Sequence, residues 1–177
     1  MSSRFYIRLE SKHDIPVIRK IHQSVFPTWS EAELVDYLQS EGDGVLSLVA
    51  RRGGALAGHI LFSRLTAVES MGLKAVALGP LAVLESYQGK GVGTALVSEG
   101  IKILHGQGVD VIFVLGDPAF YGRFGFTAEQ ARNFETPYDG PNQQALALTE
   151  RGRYAHGLIR YAPAFADLPN APLQTDD

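Results

Sequence analysis

The sequence predicts an α/β fold, with a mixed, mostly antiparallel sheet of six to seven strands, a central parallel β-α-β crossover, and helices on both faces. Residues 45–51 and 55–65 form a β-hairpin pattern around the turn residues 52–54. A long extended run, residues 74–83, then leads into a glycine-rich loop and a helical pattern. Residues 111–116, VIFVLG, are continuously apolar, which is typical of a strand buried on both faces. Strand, helix and strand are therefore expected to form a right-handed parallel crossover.

The N-terminal part of the chain predicts one strand and two helices. Residues 4–9 alternate between apolar and polar side chains as a strand does. Asp14 precedes Pro16 as the N-cap of a first helix. The apolar face of this helix is expected to contain Val17, Ile18, Ile21 and Val25. Ser30 and Glu33 match the S-x-x-E form of a capping box, which predicts a second helix that reaches Leu38.

The C-terminal part predicts a helix, a short helix and two further strands. Leu96, Val97, Ile101 and Leu104 follow helical spacing, and this helix is expected to end near Gly106 and Gly108. Residues 118–124 predict a short helix closed by Gly125. Strands are expected near residues 145–148 and 157–161. Residues 163–177 contain three prolines and predict a surface arm or tail.

Composition limits the class of protein. A length of 177 residues with 45% hydrophobic content predicts one domain over residues 1–177. There is no run of eighteen apolar residues and no signal-peptide pattern, so we expect a cytoplasmic location and no membrane partner. The net charge of −3 argues against a nucleic-acid partner. Because the chain has no cysteine, it cannot form a disulfide, a thiolate metal site or a cysteine-linked acyl-enzyme, and we expect no metal.

The glycine-rich loop at residues 88–93, Gln-Gly-Lys-Gly-Val-Gly, is the most informative segment. Glycine lets the backbone approach a ligand closely, and the first N–H groups of the following helix have no intrahelical partner. The positive end of the helix dipole adds to these donors. The loop therefore predicts a site for phosphate or pyrophosphate.

Two common phosphate-binding motifs do not fit this loop. A Walker A loop requires Gly-Lys followed by Ser or Thr, whereas Gly89-Lys90 is followed by Gly91. A dinucleotide-binding fingerprint requires a third glycine one position later than Gly93, and an acidic residue after the next strand. Asp110 stands before that strand. A βα turn whose glycines serve only tight packing is the remaining structural alternative.

The segment from Gln88 to Gly93 resembles the Q/R-x-x-G-x-G/A loop of the GCN5-related N-acetyltransferase (GNAT) superfamily. Residues 80–83 stand before it as the fourth strand of that family does, and residues 119–126, AFYGRFGF, resemble the family's F-Y-x-x-x-G-F ending. The resemblance covers roughly residues 4–127 in element order, and residues 145–165 resemble the tail of an uncharacterised bacterial branch. Two motifs in the right order argue against a loop that only serves packing.

The resemblance implies acetyl-CoA as co-substrate. Leu81 would donate its N–H to the thioester carbonyl, Val83 would pair with the pantetheine arm, and the loop with Thr94 would hold the pyrophosphate. Lys90 would add a positive charge, although a solvated loop lysine is an equal alternative. The implied cofactor-binding set is Leu81, Ala82, Val83, Gln88, Gly89, Lys90, Gly91, Val92, Gly93 and Thr94.

The resemblance also implies a general acid. Tyr121 matches the family tyrosine that protonates the departing CoA thiolate, and the alternative is that it only packs, as its phenylalanine neighbours do. Some family members use a glutamate as base where this chain has Ala77, and residues 75–83 contain no carboxylate or histidine. His59 on the neighbouring strand is the first candidate for the base, against a packing histidine or a water held by carbonyls. Further candidates are Glu31, Glu33 and Asp117.

These residues together predict an acetyl-CoA-dependent N-acetyltransferase that transfers the acetyl group directly to a primary amine in a ternary complex. The alternative is a non-catalytic acyl-CoA-binding sensor, which the missing strand-four carboxylate favours. The acceptor is expected to be a small-molecule or peptide amine. We expect residues 26–29 and Tyr154, His156 and Tyr161 to contact it. Edge strands near the C-terminus allow a homodimer.

Overall fold

The computed structural model describes residues 4–70 and 72–167. In these residues the sheet contains eight strands. The strands are β1 (Tyr6–Leu9), β2 (Gly44–Arg52), β3 (Ala55–Ala67), β4 (Ala75–Val83), β5 (Val111–Leu115), β6 (Phe134–Glu135), β7 (Gln143–Ala147) and β8 (Gly157–Tyr161). The α-helices are α1 (Ile15–Val25), α2 (Ser30–Ser40), α3 (Val92–Gly106), α4 (Pro118–Tyr121), α5 (Ala128–Ala131) and α6 (Glu150–Tyr154).

The strand order is β1-β2-β3-β4-β5-β7, and the pair β4–β5 is parallel while its neighbours in this order are antiparallel. The predicted central crossover is therefore confirmed. Strand β8 pairs with the far end of β3 at Leu65↔Tyr161, and β6 runs parallel to β8. The expected six to seven strands were too few. Strand β6 has only two residues, which is too short to give an alternating pattern in the sequence.

Two predicted helix starts differ in detail from the structure. Asp14 stands directly before α1, but its carboxylate accepts hydrogen bonds from Arg8 and Ser11 instead of from the helix amides. Ser30 begins α2, yet no side chain caps that helix, so the capping box is not formed. Val17 also lies outside the buried face of α1 and is 42% exposed. For Asp14 the reason is that Arg8 and Ser11 take the carboxylate that the pattern assigned to the helix.

Helices cover both faces of the sheet, as the sequence predicts. On one face, here called the α3 face, Leu78, Leu81 and Val83 of β4 pack with the buried side of α3. On the opposite face, here called the α1 face, Ala82 packs in a cluster with residues of α1 and α2. Further along the α1 face, Ala77 belongs to a separate cluster with residues of β5, β6 and β8. Strand β4 is consequently buried along its whole length.

The residues after β8 continue as a short 3-10 turn, Pro163–Asp167. Phe165 packs against the cluster formed by α1 and α2, so the predicted surface arm is anchored at its beginning. Residues 168–177 of that arm lie outside the described residues. Within the described part of the chain, no helix has the length and apolarity needed to span a bilayer.

Candidate active site

The parallel strands β4 and β5 separate at the centre of the sheet. Their pairing runs from Ala75↔Val111 to Leu78↔Val114 and ends there. Val111 donates to the carbonyl of Lys74, so Lys74, Val76 and Leu78 face β5, before the β3–β4 pairing shifts register between Phe62↔Leu78 and Ile60↔Leu81. The next residue of that series is Pro80, which has no N–H to offer. The ladder therefore ends at Pro80, and a gap opens between the two strands.

The backbone of Leu81 and Val83 faces this gap. Leu84 donates to the carbonyl of Ala57, which makes that pair a hydrogen-bonded pair of the antiparallel β3–β4 ladder. Hydrogen-bonded and non-hydrogen-bonded pairs alternate in such a ladder. The pairs that involve Leu81 and Val83 are therefore non-hydrogen-bonded, and their N–H and C=O groups point away from β3. The Leu81 N–H, which the resemblance assigns to the thioester, thus faces the gap.

The glycine-rich loop lies at the same end of β4. Gly89 and Gly91 have left-handed backbone conformations, with φ values of 68° and 81°. A Cβ atom added at either position would meet nothing within 4 Å, so the loop borders open space. The side chain of Gln88 donates to the carbonyl of Val83 over 2.9 Å and ties the loop to β4. Lys90 donates to the carbonyl of Ser86 over 2.8 Å.

Tyr121 stands at the carboxyl end of β5, beside the gap. Its ring is fully buried and makes edge contacts with Phe120 and Phe126. Gly116, which directly follows β5, has no side chain, and a Cβ atom there would collide with the ring of Tyr121. The close approach fixes the position of the ring. This placement is compatible with both the packing role and the acid role that the sequence leaves open.

His59 belongs to a buried chain of hydrogen bonds that the sequence analysis did not find. Its Nε2 atom lies 2.8 Å from Ser47 Oγ and 3.5 Å from a carboxylate oxygen of Glu10. Its Nδ1 atom lies 2.8 Å from His22 Nε2. The Ser47 hydroxyl in turn donates to Glu10. The ring of His22 also stacks on Phe26, at the beginning of the segment that was predicted to meet the acceptor.

The chain of hydrogen bonds fixes where the protons lie. Since the Ser47 hydroxyl proton is given to Glu10, Ser47 accepts from His59 Nε2–H. His59 Nδ1 is then an acceptor, so His22 donates through Nε2 and keeps its lone pair on Nδ1. That Nδ1 atom is buried and has no hydrogen-bond partner among the described residues. The arrangement presents one basic nitrogen, His22 Nδ1, and the tautomer of its ring is set by the Glu10 carboxylate through Ser47 and His59.

Burial and hydrogen bonding set the charge states of His22, His59 and Glu10. Burial lowers the pKa of His22 well below its ordinary value, and His59 lowers it further because a second positive charge beside it is disfavoured. Burial also lowers the pKa of His59, although the bond to Glu10 opposes the shift. Burial alone would raise the pKa of Glu10, but its hydrogen bonds with His59 and Ser47 outweigh this effect and lower it. Both imidazoles are therefore neutral and Glu10 is ionised at neutral pH.

The other candidates from the sequence occupy different surroundings. Glu31 is buried on the inner side of α2, whereas Glu33 is exposed. Asp117 accepts a hydrogen bond from a backbone N–H of α4, which makes it the N-cap of that helix. Tyr154 is 72% exposed, and His156 lies beside it on the surface. In the described ranges, no three His, Cys, Asp or Glu residues come together as a metal site.

Known proteins with related sequences identify the family of this chain. A sequence model of the Acetyltransferase (GNAT) family matches residues 15–126. The chain belongs to this family. It is 36% identical over 167 residues to the uncharacterised N-acetyltransferase YjhQ of Escherichia coli (strain K12), covering 89% of this chain and 92% of that protein. It is 40% identical over 121 residues to YhbS of the same strain, covering 68% and 72%. The chain is thus an acyltransferase.

Two solved structures share the fold of this GNAT protein closely. The crystal structure of YhbS from Escherichia coli in complex with CoA superposes with a TM-score of 0.87 at 33% identity, and covers 94% of each chain. A GNAT family acetyltransferase from Brucella melitensis in complex with acetyl-CoA superposes with a TM-score of 0.76 at 32% identity, and covers 92% of this chain and 99% of its own. One neighbour holds CoA and the other acetyl-CoA, which is the co-substrate that the family resemblance implies.

Proposed function

We propose that this protein transfers the acetyl group of acetyl-CoA directly to a primary amine within a ternary complex. The observation that carries the proposal is the gap between β4 and β5, which opens at Pro80 and is bordered by the outward-facing backbone of Leu81 and Val83. An extended arm with amide groups pairs with such an edge as an added strand does. The glycine-rich loop at the same end supplies donors for a pyrophosphate.

The coenzyme would lie along the gap, between the glycine-rich loop and the edge of β4. Its pyrophosphate would contact the backbone of residues 88–94 at the N-terminus of α3, which lies on the α3 face. Its pantetheine arm would pair with Leu81, Ala82 and Val83. The thioester would then meet the Leu81 N–H, which stabilises the negative charge that grows on the carbonyl oxygen during attack.

The acceptor would approach from the α1 face. His59 pairs in register with Ala82, and His22 lies over it. The role predicted for His59 would then be exerted through His22, because both nitrogens of His59 are already engaged. His22 Nδ1 would take a proton from the attacking amine through a bridging water. The new C–N bond forms, the C–S bond breaks, and Tyr121 would give a proton to the CoA thiolate.

The comparisons give no support to the sensor alternative, and a buried histidine pair offers a base that strand β4 lacks. The decisive experiment measures CoA release with acetyl-CoA and a panel of primary amines. Double-reciprocal plots at several amine concentrations should intersect, because both substrates must be bound before transfer. Parallel lines with a trapped acetyl-enzyme would contradict direct transfer. Tight acetyl-CoA binding without turnover of any amine would instead support a sensor.

A further inference from the structure

The hydrogen bonds around His59 lead from the buried His22 to an opening on the protein surface. Glu10, the last member of this series, borders a surface pocket of about 310 Å³, here called the α1–α2 pocket. Residues of both helices line it, among them Ile18 of α1 and Gln39 of α2. The side chain of Glu10 is 15% exposed, whereas both histidines are fully buried. The linked side chains therefore reach from the interior to the surface.

Each link in this series is a close hydrogen bond. His22 Nε2 and His59 Nδ1 are 2.8 Å apart, as are His59 Nε2 and Ser47 Oγ. The Ser47 hydroxyl donates to Glu10 Oε2, which also accepts from the side-chain amide of Gln39 over 3.0 Å. Imidazole and hydroxyl groups both donate and accept, so a proton that arrives on one side of such a group can be passed on from the other.

A proton held on His22 alone would leave a positive charge in the interior. Burial lowers the pKa of His22 and of His59, so neither ring is stable as an imidazolium. Glu10 is ionised and borders the α1–α2 pocket, so it can take up a proton and release it to solvent. A shift along the whole series leaves both imidazoles neutral, whereas capture by His22 alone buries a charge.

The carboxylates closest to Glu10 are paired with arginines. Asp14 is bonded to Arg8 over 2.6 Å, and Asp36, on the α2 side of the pocket, is bonded to Arg19. The charges of these two acids are therefore compensated locally. Glu10 is the carboxylate that is hydrogen-bonded to the series itself.

We propose that His22, His59, Ser47 and Glu10 form a proton relay, which carries the proton of the attacking amine away from the reaction site and out through the α1–α2 pocket. The relay rests on the acetyl transfer proposed above. It adds Ser47 and Glu10 to the residues that serve the reaction, although neither touches the substrates.

Each member of the relay gives up one proton as it receives one. The proton of the amine arrives at His22 Nδ1, the Nε2 proton of His22 moves to His59 Nδ1, and the Nε2 proton of His59 moves to Ser47 Oγ. The hydroxyl proton of Ser47 moves to Glu10, which releases it to solvent. The hydrogen bonds then point the opposite way. After the product leaves, His22 Nδ1 loses its proton to solvent, Glu10 takes one up, and the relay returns to its first state.

Removing the Ser47 hydroxyl breaks one link and keeps the carboxylate. In Ser47→Ala, His59 Nε2 still faces Glu10, which is 3.5 Å away, so the tautomers are kept. We expect kcat to fall about ten- to a hundredfold with unchanged KM for the amine, and Ser47→Thr to restore most of it. Ser40→Ala, at an exposed position beside the same pocket, is the control. A kcat within about threefold of the wild-type value in Ser47→Ala would overturn the relay.

Chemical rescue tests the outlet of the relay. Glu10→Ala removes the terminal proton acceptor and enlarges the α1–α2 pocket. We expect kcat to fall about a hundredfold, and acetate or formate to restore part of it with saturation, while chloride at equal ionic strength does not. Asp36→Ala removes the other carboxylate of the pocket and should show neither the loss nor the rescue. A folded Glu10→Ala variant with normal kcat, or one that neither anion rescues, would contradict the proposal.

The tautomers of the two histidines give a readout that needs no turnover. In NMR spectra of the protein with 15N-labelled histidine, His22 and His59 should both carry their proton on Nε2. In Glu10→Gln the new amide can donate to Ser47, so both rings should change together to Nδ1–H. Unchanged tautomers would overturn the relay even if acetyl transfer occurs. If no amine is acetylated, the proposed activity falls, whereas a joint change of both rings still supports the relay.

Discussion

His22 Nε2 lies 2.8 Å from His59 Nδ1, and neither ring is exposed to solvent. Two neutral imidazoles can share one hydrogen bond only when one donates and the other accepts. Glu10 and Ser47, at the far side of His59, decide the direction. A carboxylate close to the surface thereby determines which nitrogen of His22 is basic, although it does not touch that ring.

The first prediction tests whether His22 itself is the general base or only packs against His59. His22→Gln keeps an N–H donor close to His59 Nδ1 but removes the basic nitrogen. We expect kcat to fall about a hundred- to ten-thousandfold at neutral pH, and acetyl-CoA affinity to stay unchanged. The remaining activity of His22→Gln should rise with pH, because the amine must then lose its proton in solution before it can attack. His105→Gln, on the exposed side of α3, is the control. A kcat within about threefold of the wild-type value would show that His22 only packs.

The second prediction concerns Tyr121. Tyr121→Phe keeps the ring that packs against Gly116 and removes the hydroxyl proton. If Tyr121 is the general acid, kcat should fall roughly ten- to ten-thousandfold with little change in acetyl-CoA affinity. Tyr37→Phe, which alters an exposed ring, should leave kcat unchanged. Normal turnover with an unaltered pH profile in Tyr121→Phe would assign the ring to packing alone.

The third prediction compares two glycines with similar backbones. Gly91 and Gly53 have φ values of 81° and 61°, and a Cβ atom at either would meet no protein atom within 4 Å. Replacement by Val should therefore cost a similar amount of stability at both positions, on the order of 1 kcal/mol or more. Only Gly91→Val should abolish acetyl-CoA binding in calorimetry. Equal binding by the two folded variants would remove the loop as the pyrophosphate site.

The fourth prediction concerns the pH dependence of stability. Burial raises the pKa of Glu31 above its ordinary value of 4.5. The folded protein therefore holds this proton more tightly than the unfolded chain, and the stabilising contribution is lost as the pH rises through the folded-state pKa. We expect Glu31→Gln, which cannot ionise, to have a higher Tm than the wild type near pH 7 and a similar Tm near pH 4. The same pH-independent difference at both values would contradict the shift.

The sequence predicts the coenzyme side of this site directly because its residues are close together in the chain. Strand β4, the loop with Gly89 and Gly91, and α3 follow one another without interruption, so spacing alone reveals the cradle. Tyr121 was found through a second local motif. The residues expected to meet the acceptor stay a prediction, because they come from distant parts of the chain and no local motif joins them; one of them, Tyr154, lies exposed on the surface.

The sequence by itself determined the family and the crossover, because the motifs that carry them are local; the structure added that β4 and β5 separate at Pro80, which lacks the N–H that would continue their ladder. Only the tertiary structure brought His22 to His59 across 37 positions of the chain, and Ser47 to the other side of the same ring. Isolated histidine and serine residues carry no periodic signal. Their chemistry arises from burial and from the partners that the fold supplies or withholds.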